Sequence, residues 1–141
     1  MNISSQDKFY IYNRENKKCY FCGKLLKYHQ ITLDHYLPKS KKGTADIFNL
    51  VTCCKQCNKF KSNKVPVDYK DVILNFFIQA VKDDKIKGSC LKLSQKALKE
   101  ELLKISKVED LTDYFIFQSL DKRFYVKNNQ IFKIVYIYQI S

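Results

Sequence analysis

The chain has no apolar run that approaches a bilayer span; its longest, near Val72 to Val81, falls far short of the roughly 20 residues a crossing helix needs. The first eighteen residues are polar and charged, without a secretory pattern, so the expectation is a soluble, cytoplasmic protein with no membrane partner. No internal repeat, low-complexity tract, Gly-rich phosphate loop or Ser-His-Asp arrangement is visible, which removes repeat scaffolds, P-loop enzymes and serine hydrolases. Arginine is scarce too. Of 26 basic residues only Arg14 and Arg123 are Arg, leaving few side chains for bidentate contacts to guanine.

What is present begins with charge. The formal net charge is +12, and it is uneven: residues 1 to 64 hold 13 Lys/Arg against 4 Asp/Glu, whereas residues 65 to 141 hold 13 against 10. A positive field of this size favours a polyanionic partner, nucleic acid being the usual one. With 45% apolar residues in 141, the chain can bury a core, so it is not a disordered tail. The expected organisation is a motif-bearing core at 1–65 and an elaboration at 66–141, packed with it as one domain.

Six cysteines in a reducing compartment favour metal ligation over disulfides. Cys19/Cys22 and Cys54/Cys57 form two Cys-x2-Cys pairs, the spacing of a four-thiolate structural zinc site. Cys19-Tyr-Phe-Cys22-Gly23 reads as a knuckle in which Gly23 supplies a positive φ. Cys53, next to a ligand, reads as a small buried apolar residue; Cys90 has no partner, and His29 reads as the tip of a hairpin.

Between the thiol pairs lie Asp34 and His35, and Asn58 follows the last cysteine; together they can assemble a second, catalytic metal site. Residues 5 to 16 read as a helix with Phe9 and either Tyr12 or Tyr10 inward. Leu25 to Tyr28 and Gln30 to Asp34 read as two strands of a hairpin, residues 37 to 48 as a polar connector, and Lys55 to about Asn63 as a helix. Within that helix Cys54 and Cys57 face one ion while Asn58, about 100° further round, faces elsewhere. Lys39, Lys41 and Lys42 in the connector suit phosphate contact; a solvated loop is the alternative.

The pattern C-x2-C, LDHYLP, then FNLVTCC-x2-CN-x2-K, from Cys19 to about Lys64, resembles the HNH family of nucleases. Asn58 stands where the family name has its final His, a variant of HNN type. The resemblance implies an α+β chain: a ββα-metal core with a four-cysteine zinc, followed here by two helices and a β-hairpin. It implies a metal-dependent endonuclease that hydrolyses DNA, double-stranded first, to 5′-phosphate and 3′-hydroxyl ends. In that chemistry His35 is the general base, and Asp34 and Asn58 are oxygen ligands of Mg2+ or Mn2+. Asn49 orients the His35 loop, and Lys61 and Lys64 bind phosphate. A regular strand sends Asp34 and His35 to opposite faces, so an irregular backbone is expected there. A zinc-stabilised nucleic-acid-binding protein without cleavage, or an RNA-cleaving nuclease, fits the same residues.

In the second half Asp68 to Lys82 has helical periodicity, with Val72, Ile73, Phe76, Phe77, Ala80 and Val81 inward, and Ser94 N-caps a helix to Ile105. Asp113 to Gln118 is ambiguous. Lys122 to Lys127 and Ile131 to Ile140 form a hairpin around Asn128-Asn129. Its second strand is apolar on both faces, so it is either buried on both sides or part of an interface, and the C-terminal elaboration reads as a DNA contact or a dimer contact; a homodimer acting as a restriction-type enzyme is the expected assembly.

Overall fold

Ser4 opens the first helix: its Oγ accepts a hydrogen bond from the Asp7 amide at 3.1 Å, and Asp7 and Arg14 lie at the ends whose helix-dipole charges they oppose. The computed structural model describes residues 3–60, 64–88, 93–110 and 114–137. The chain forms two compact units, Met1–Pro66 and Val67–Ser141. Among the described residues no helix is long and apolar enough to cross a membrane.

The first unit contains α1 (Ser5–Arg14), β1 (Thr32–His35), β2 (Leu50–Cys53) and α2 (Lys55–Lys59). Tyr12 is the inward tyrosine of α1; Phe9, expected inside, is exposed, its ring resting edge-on against Tyr28. The expected local hairpin does not form. Tyr28–Gln30 is a 3-10 turn, and β1 pairs antiparallel with β2 across the connector, Thr32 opposite Cys53 and His35 opposite Leu50. β2 is buried at all four residues, and this apolar strand takes β1 as its partner, whereas residues 25–28 make only a bridge from Leu25 to Lys18. The expected irregularity at Asp34 is likewise absent, since the β1–β2 register runs without a bulge through His35.

The connector is less polar than its sequence suggests. After a 3-10 turn at Lys39–Lys41, Asp46, Ile47, Phe48 and Asn49 are all buried. Gly43 is required where it sits: a Cβ there would lie 1.7 Å from the Leu37 carbonyl oxygen and 2.9 Å from Asn49 Nδ2.

The second unit holds α3 (Tyr69–Lys82), α4 (Gln95–Leu102) and a five-stranded sheet in the order β3-β7-β6-β5-β4. Its strands are β3 (Lys87–Gly88), β4 (Lys107–Asp110), β5 (Phe115–Gln118), β6 (Lys122–Lys127) and β7 (Gln130–Tyr136). The expected hairpin is thus the β6–β7 pair of a larger sheet, antiparallel except where β3 meets β7 in parallel. Asn128 and Asn129, at φ 54° and 60°, form its two-residue turn. Ser94 caps α4 by accepting from Ala97 N at 3.1 Å. Ile73, Phe77, Ala80 and Val81 form the inward stripe of α3, whereas Val72 and Phe76, also expected inward, flank it half-buried; the Phe77 and Phe117 rings stack with centroids 3.7 Å apart. Cys90 and the last residues assigned to the hairpin, 138–140, lie outside the described residues.

Candidate metal centre and nuclease site

The two Cys-x2-Cys turns meet. The Sγ atoms of Cys19, Cys22, Cys54 and Cys57 all lie within 4.8 Å of one another, Cys22 and Cys54 at 3.9 Å. Tetrahedral zinc with Zn–S bonds near 2.3 Å sets its sulfurs about 3.8 Å apart, so small adjustments close this cluster on an ion. The four cysteines are positioned to bind a metal ion.

Local backbone geometry explains the convergence. Gly23, at φ +75°, turns the first knuckle so that its amide returns to the Cys19 carbonyl at 2.9 Å. Tyr20 N donates to Thr52 O at 2.9 Å, stitching that knuckle to β2. Cys54 N-caps α2, its Sγ accepting from Cys57 N at 3.4 Å, while Cys54 N donates to Cys19 Sγ at 3.4 Å. Burial alone would raise the Cys19 thiol, but hydrogen bonds from the backbone at Cys22, Cys54 and Phe21 outweigh it and hold it at about 6. Cys53 differs. It is fully buried, and that burial, with the nearby charges of Cys19 and Asp34, pushes its thiol up to about 12. It packs as a neutral apolar side chain, and its S–H donates to the Cys54 carbonyl at 3.4 Å.

α2 packs against β1, so the helix bearing Asn58 lies beside the strand bearing Asp34 and His35. Asn58 is exposed, His35 half-buried and Asp34 buried at 7% exposure. Asn49 is fully buried and clamps the segment after His35. Its Oδ1 accepts from Leu37 N at 2.8 Å, its Nδ2 donates to the Leu37 and Thr44 carbonyls at 3.2 and 2.8 Å, and its own carbonyl accepts from Tyr36 N at 2.8 Å. Lys39, Lys41, Lys42 and Lys64 are exposed; Lys61 lies outside the described residues. His29 is an exposed residue of the 3-10 turn.

Two features escaped the sequence reading. Arg14 and Glu15 form a buried ion pair at 2.7 Å; Arg14 also donates to the carbonyls of Ile47 and Leu50, and Glu15 accepts from the amide and hydroxyl of Thr52. Arg14 is therefore committed to structure, and its rarity as an arginine in a lysine-rich chain was the signal available. Beside the thiol cluster, a cleft of about 550 Å³ is lined by Phe21, Tyr36, Gln56, Phe60 and Lys64 along with Cys22 and Cys57.

A two-stranded antiparallel ribbon with a short helix against it and four converging thiols describes a ββα-metal unit. Residues 19–71 match the HNH endonuclease family, so the resemblance carried by the motifs holds over that segment. Over 46 residues, 32% of this chain, the sequence is 41% identical to the CRISPR-associated endonuclease Cas9 of Actinomyces naeslundii. That match covers 4% of the relative's length. The crystal structure of the Type II-C Cas9 enzyme from the same organism aligns with 73% of this chain and 13% of its own, at 23% identity and a TM-score of 0.40.

Proposed function

We propose that the chain is a metal-dependent endonuclease that hydrolyses phosphodiester bonds in DNA, leaving 5′-phosphate and 3′-hydroxyl ends. The observation that carries this reading is the packing of α2 against β1, which brings the elements bearing Asn58, Asp34 and His35 side by side next to the thiol cluster. His35 takes the proton from the attacking water, a task suited to an imidazole near neutral pH. The Asp34 carboxylate and the Asn58 amide oxygen are hard donors of the kind Mg2+ or Mn2+ takes. An ion held there would supply positive charge to the phosphate and the departing 3′ oxygen.

Asn49 is a positioning residue in this scheme, holding the turn that follows His35. Lys39, Lys41, Lys42, Lys61 and Lys64 supply positive charge for the phosphates, and Zn2+ is the ion for the four thiolates, in a structural role. The finer form of the proposal is a restriction-type enzyme acting as a homodimer, since one HNH site cuts one strand and a two-fold pair matches the symmetry of duplex DNA.

The test is digestion of plasmid DNA, and of RNA beside it, by zinc-loaded protein with added Mg2+ or Mn2+. Cleavage is expected to fall about 100-fold or more in His35→Ala while DNA binding persists. DNA left intact by the wild-type protein, with binding equal to that of His35→Ala, would leave a zinc-stabilised binder; RNA cut in preference would move the substrate. Sequencing the cut ends and measuring mass by light scattering test the restriction-type and dimer components, which scattered ends and a nicking monomer would remove.

A further inference from the structure

We propose that the outer face of the five-stranded sheet in the second unit binds single-stranded nucleic acid, stacking unpaired bases on Phe132. The face is defined by strand alternation. Val108, Phe117 and Phe124 lie in one cross-strand row, on the side where Phe117 stacks on Phe77 of α3, so the neighbouring rows, Lys107–Gln118–Arg123–Val135 and Glu109–Ile116–Tyr125–Lys133, point the other way, Ile116 being buried there as well.

A β-bulge then changes what this face carries. Val126 pairs with Ile131 but Tyr125 pairs with Lys133, so Phe132 is the extra residue on β7. Ile131 is fully buried on the inner face. In an unbroken strand Phe132 and Lys133 would take opposite faces; the bulge lets both point outward. The Phe132 ring meets Tyr114 at 5.5 Å and Tyr125 at 6.1 Å between centroids, and Lys133 Nζ lies 5.2 Å from the centroid of the Tyr125 ring.

The result is a supported ring, 41% exposed, among cations. Among the described residues, Lys107, Arg123, Lys127 and Lys133 are exposed on this face against one acid, Glu109, which Lys70 already pairs at 3.3 Å. The charge selects a polyanion, and the exposed ring selects one whose bases are not already stacked and paired. A single strand offers both. The inference deepens the nuclease reading by adding a place for a displaced or unpaired strand, and it rests on that reading only for its biological setting.

The experiment measures fluorescence anisotropy of labelled oligothymidylate and oligouridylate of about 16 nucleotides, with a duplex for comparison, on the zinc-loaded 141-residue chain carrying His35→Ala, without added Mg2+. Adding Phe132→Ala is expected to weaken single-strand binding about 10-fold, with Phe132→Tyr restoring it. Arg123→Glu with Lys133→Glu should weaken binding and flatten its salt dependence. The charge-matched control Lys82→Glu with Lys96→Glu, at exposed positions on α3 and α4, should change it far less. Comparing the thymidylate and uridylate arms tells which sugar the face accepts. Unchanged affinity in folded Phe132→Ala, an equal loss for duplex, or a change in oligomeric state with no change in binding overturns the proposal. Because the His35→Ala background does not depend on cleavage, that failure is distinct from failure of the nuclease reading.

Discussion

Asn49 and Leu37 are joined in both directions: Leu37 N donates to the Asn49 side chain at 2.8 Å, and the same side chain donates back to the Leu37 carbonyl at 3.2 Å. A buried amide thereby acts as the cross-strand partner that the backbone lacks just beyond β1. Asn49→Asp keeps the acceptor, loses both donated bonds and buries a carboxylate facing carbonyl oxygens. The expected cost is roughly 2–3 kcal/mol, read as a lower urea midpoint. In the proposed mechanism kcat should fall more than DNA affinity, because the turn beside His35 loosens while the surface lysines stay. A variant as stable as wild type would show that the clamp is dispensable.

Gly43 makes the same point sterically. An alanine methyl would overlap the Leu37 carbonyl and crowd Asn49 Nδ2, so the turn must open and the Asn49 clamp with it. Gly43→Ala is expected to lose about 2–3 kcal/mol by thermal or urea unfolding. Serine at the same position should do no better.

The thiol cluster predicts a sharp contrast between neighbours. Cys22→Ala and Cys57→Ala each remove a candidate ligand, so the metal found in wild-type protein by elemental analysis or native mass spectrometry should be lost. Cys53→Ala deletes a buried neutral thiol that is not in the cluster, and the metal should stay. Chelation should unfold the knuckles, since such sites draw much of their folding free energy from the ion. Metal retained by Cys57→Ala would discard the four-thiolate assignment.

Residues that act through their near neighbours were legible in the sequence. The cysteine spacing, the apolar stripe of α3, the Ser94 cap and the Asn128-Asn129 turn each depend on contacts within a few positions, and all are found. Partner choice at a distance was not legible. Residues 25–28 and 30–34 had the composition of a hairpin, but β2, fifteen positions past β1, is the more apolar partner and wins the pairing. β4 was missed because its four residues, KVED, carry only one apolar side chain. At the candidate site, residue types were readable but not orientation: the motif names Asp34 and His35 together, while the pleat of a regular strand sets them on opposite faces.

The buried Arg14–Glu15 pair is the support behind the site. Arg14 grips the carbonyls of Ile47 and Leu50, on either side of Asn49, and Glu15 receives two bonds from Thr52 in β2. Removing one partner strands the other in a nearly dry place, so Glu15→Gln and Arg14→Met should each cost about 3 kcal/mol or more in unfolding experiments. The double variant should cost less than the sum of the two, since it leaves no uncompensated charge. Simple additivity would mean that the pair contributes as two separate hydrogen-bonding groups.

In the second unit Lys122 ties β6 to α4, its Nζ lying 2.9 Å from both Glu101 and Asp121 and 5.2 Å from the Tyr136 ring centroid. The hydrogen bond from Lys122 holds each carboxyl below its ordinary range, and the bonds to Glu101 and then Asp121 lift the ammonium above its own. The acids are depressed in the folded state, so their stabilisation is complete above the unfolded value, near pH 4, and is lost as pH falls through the folded one. The lysine is raised, so its stabilisation is complete below about pH 10 and is lost as pH climbs through its folded value. Lys122→Met should therefore lower stability at neutral pH. The gap from wild type should close below about pH 4, where the carboxyls take up protons in both proteins. Denaturant midpoints measured from pH 3 to pH 8 test the sign, and a gap that widened toward acid would contradict the pairing.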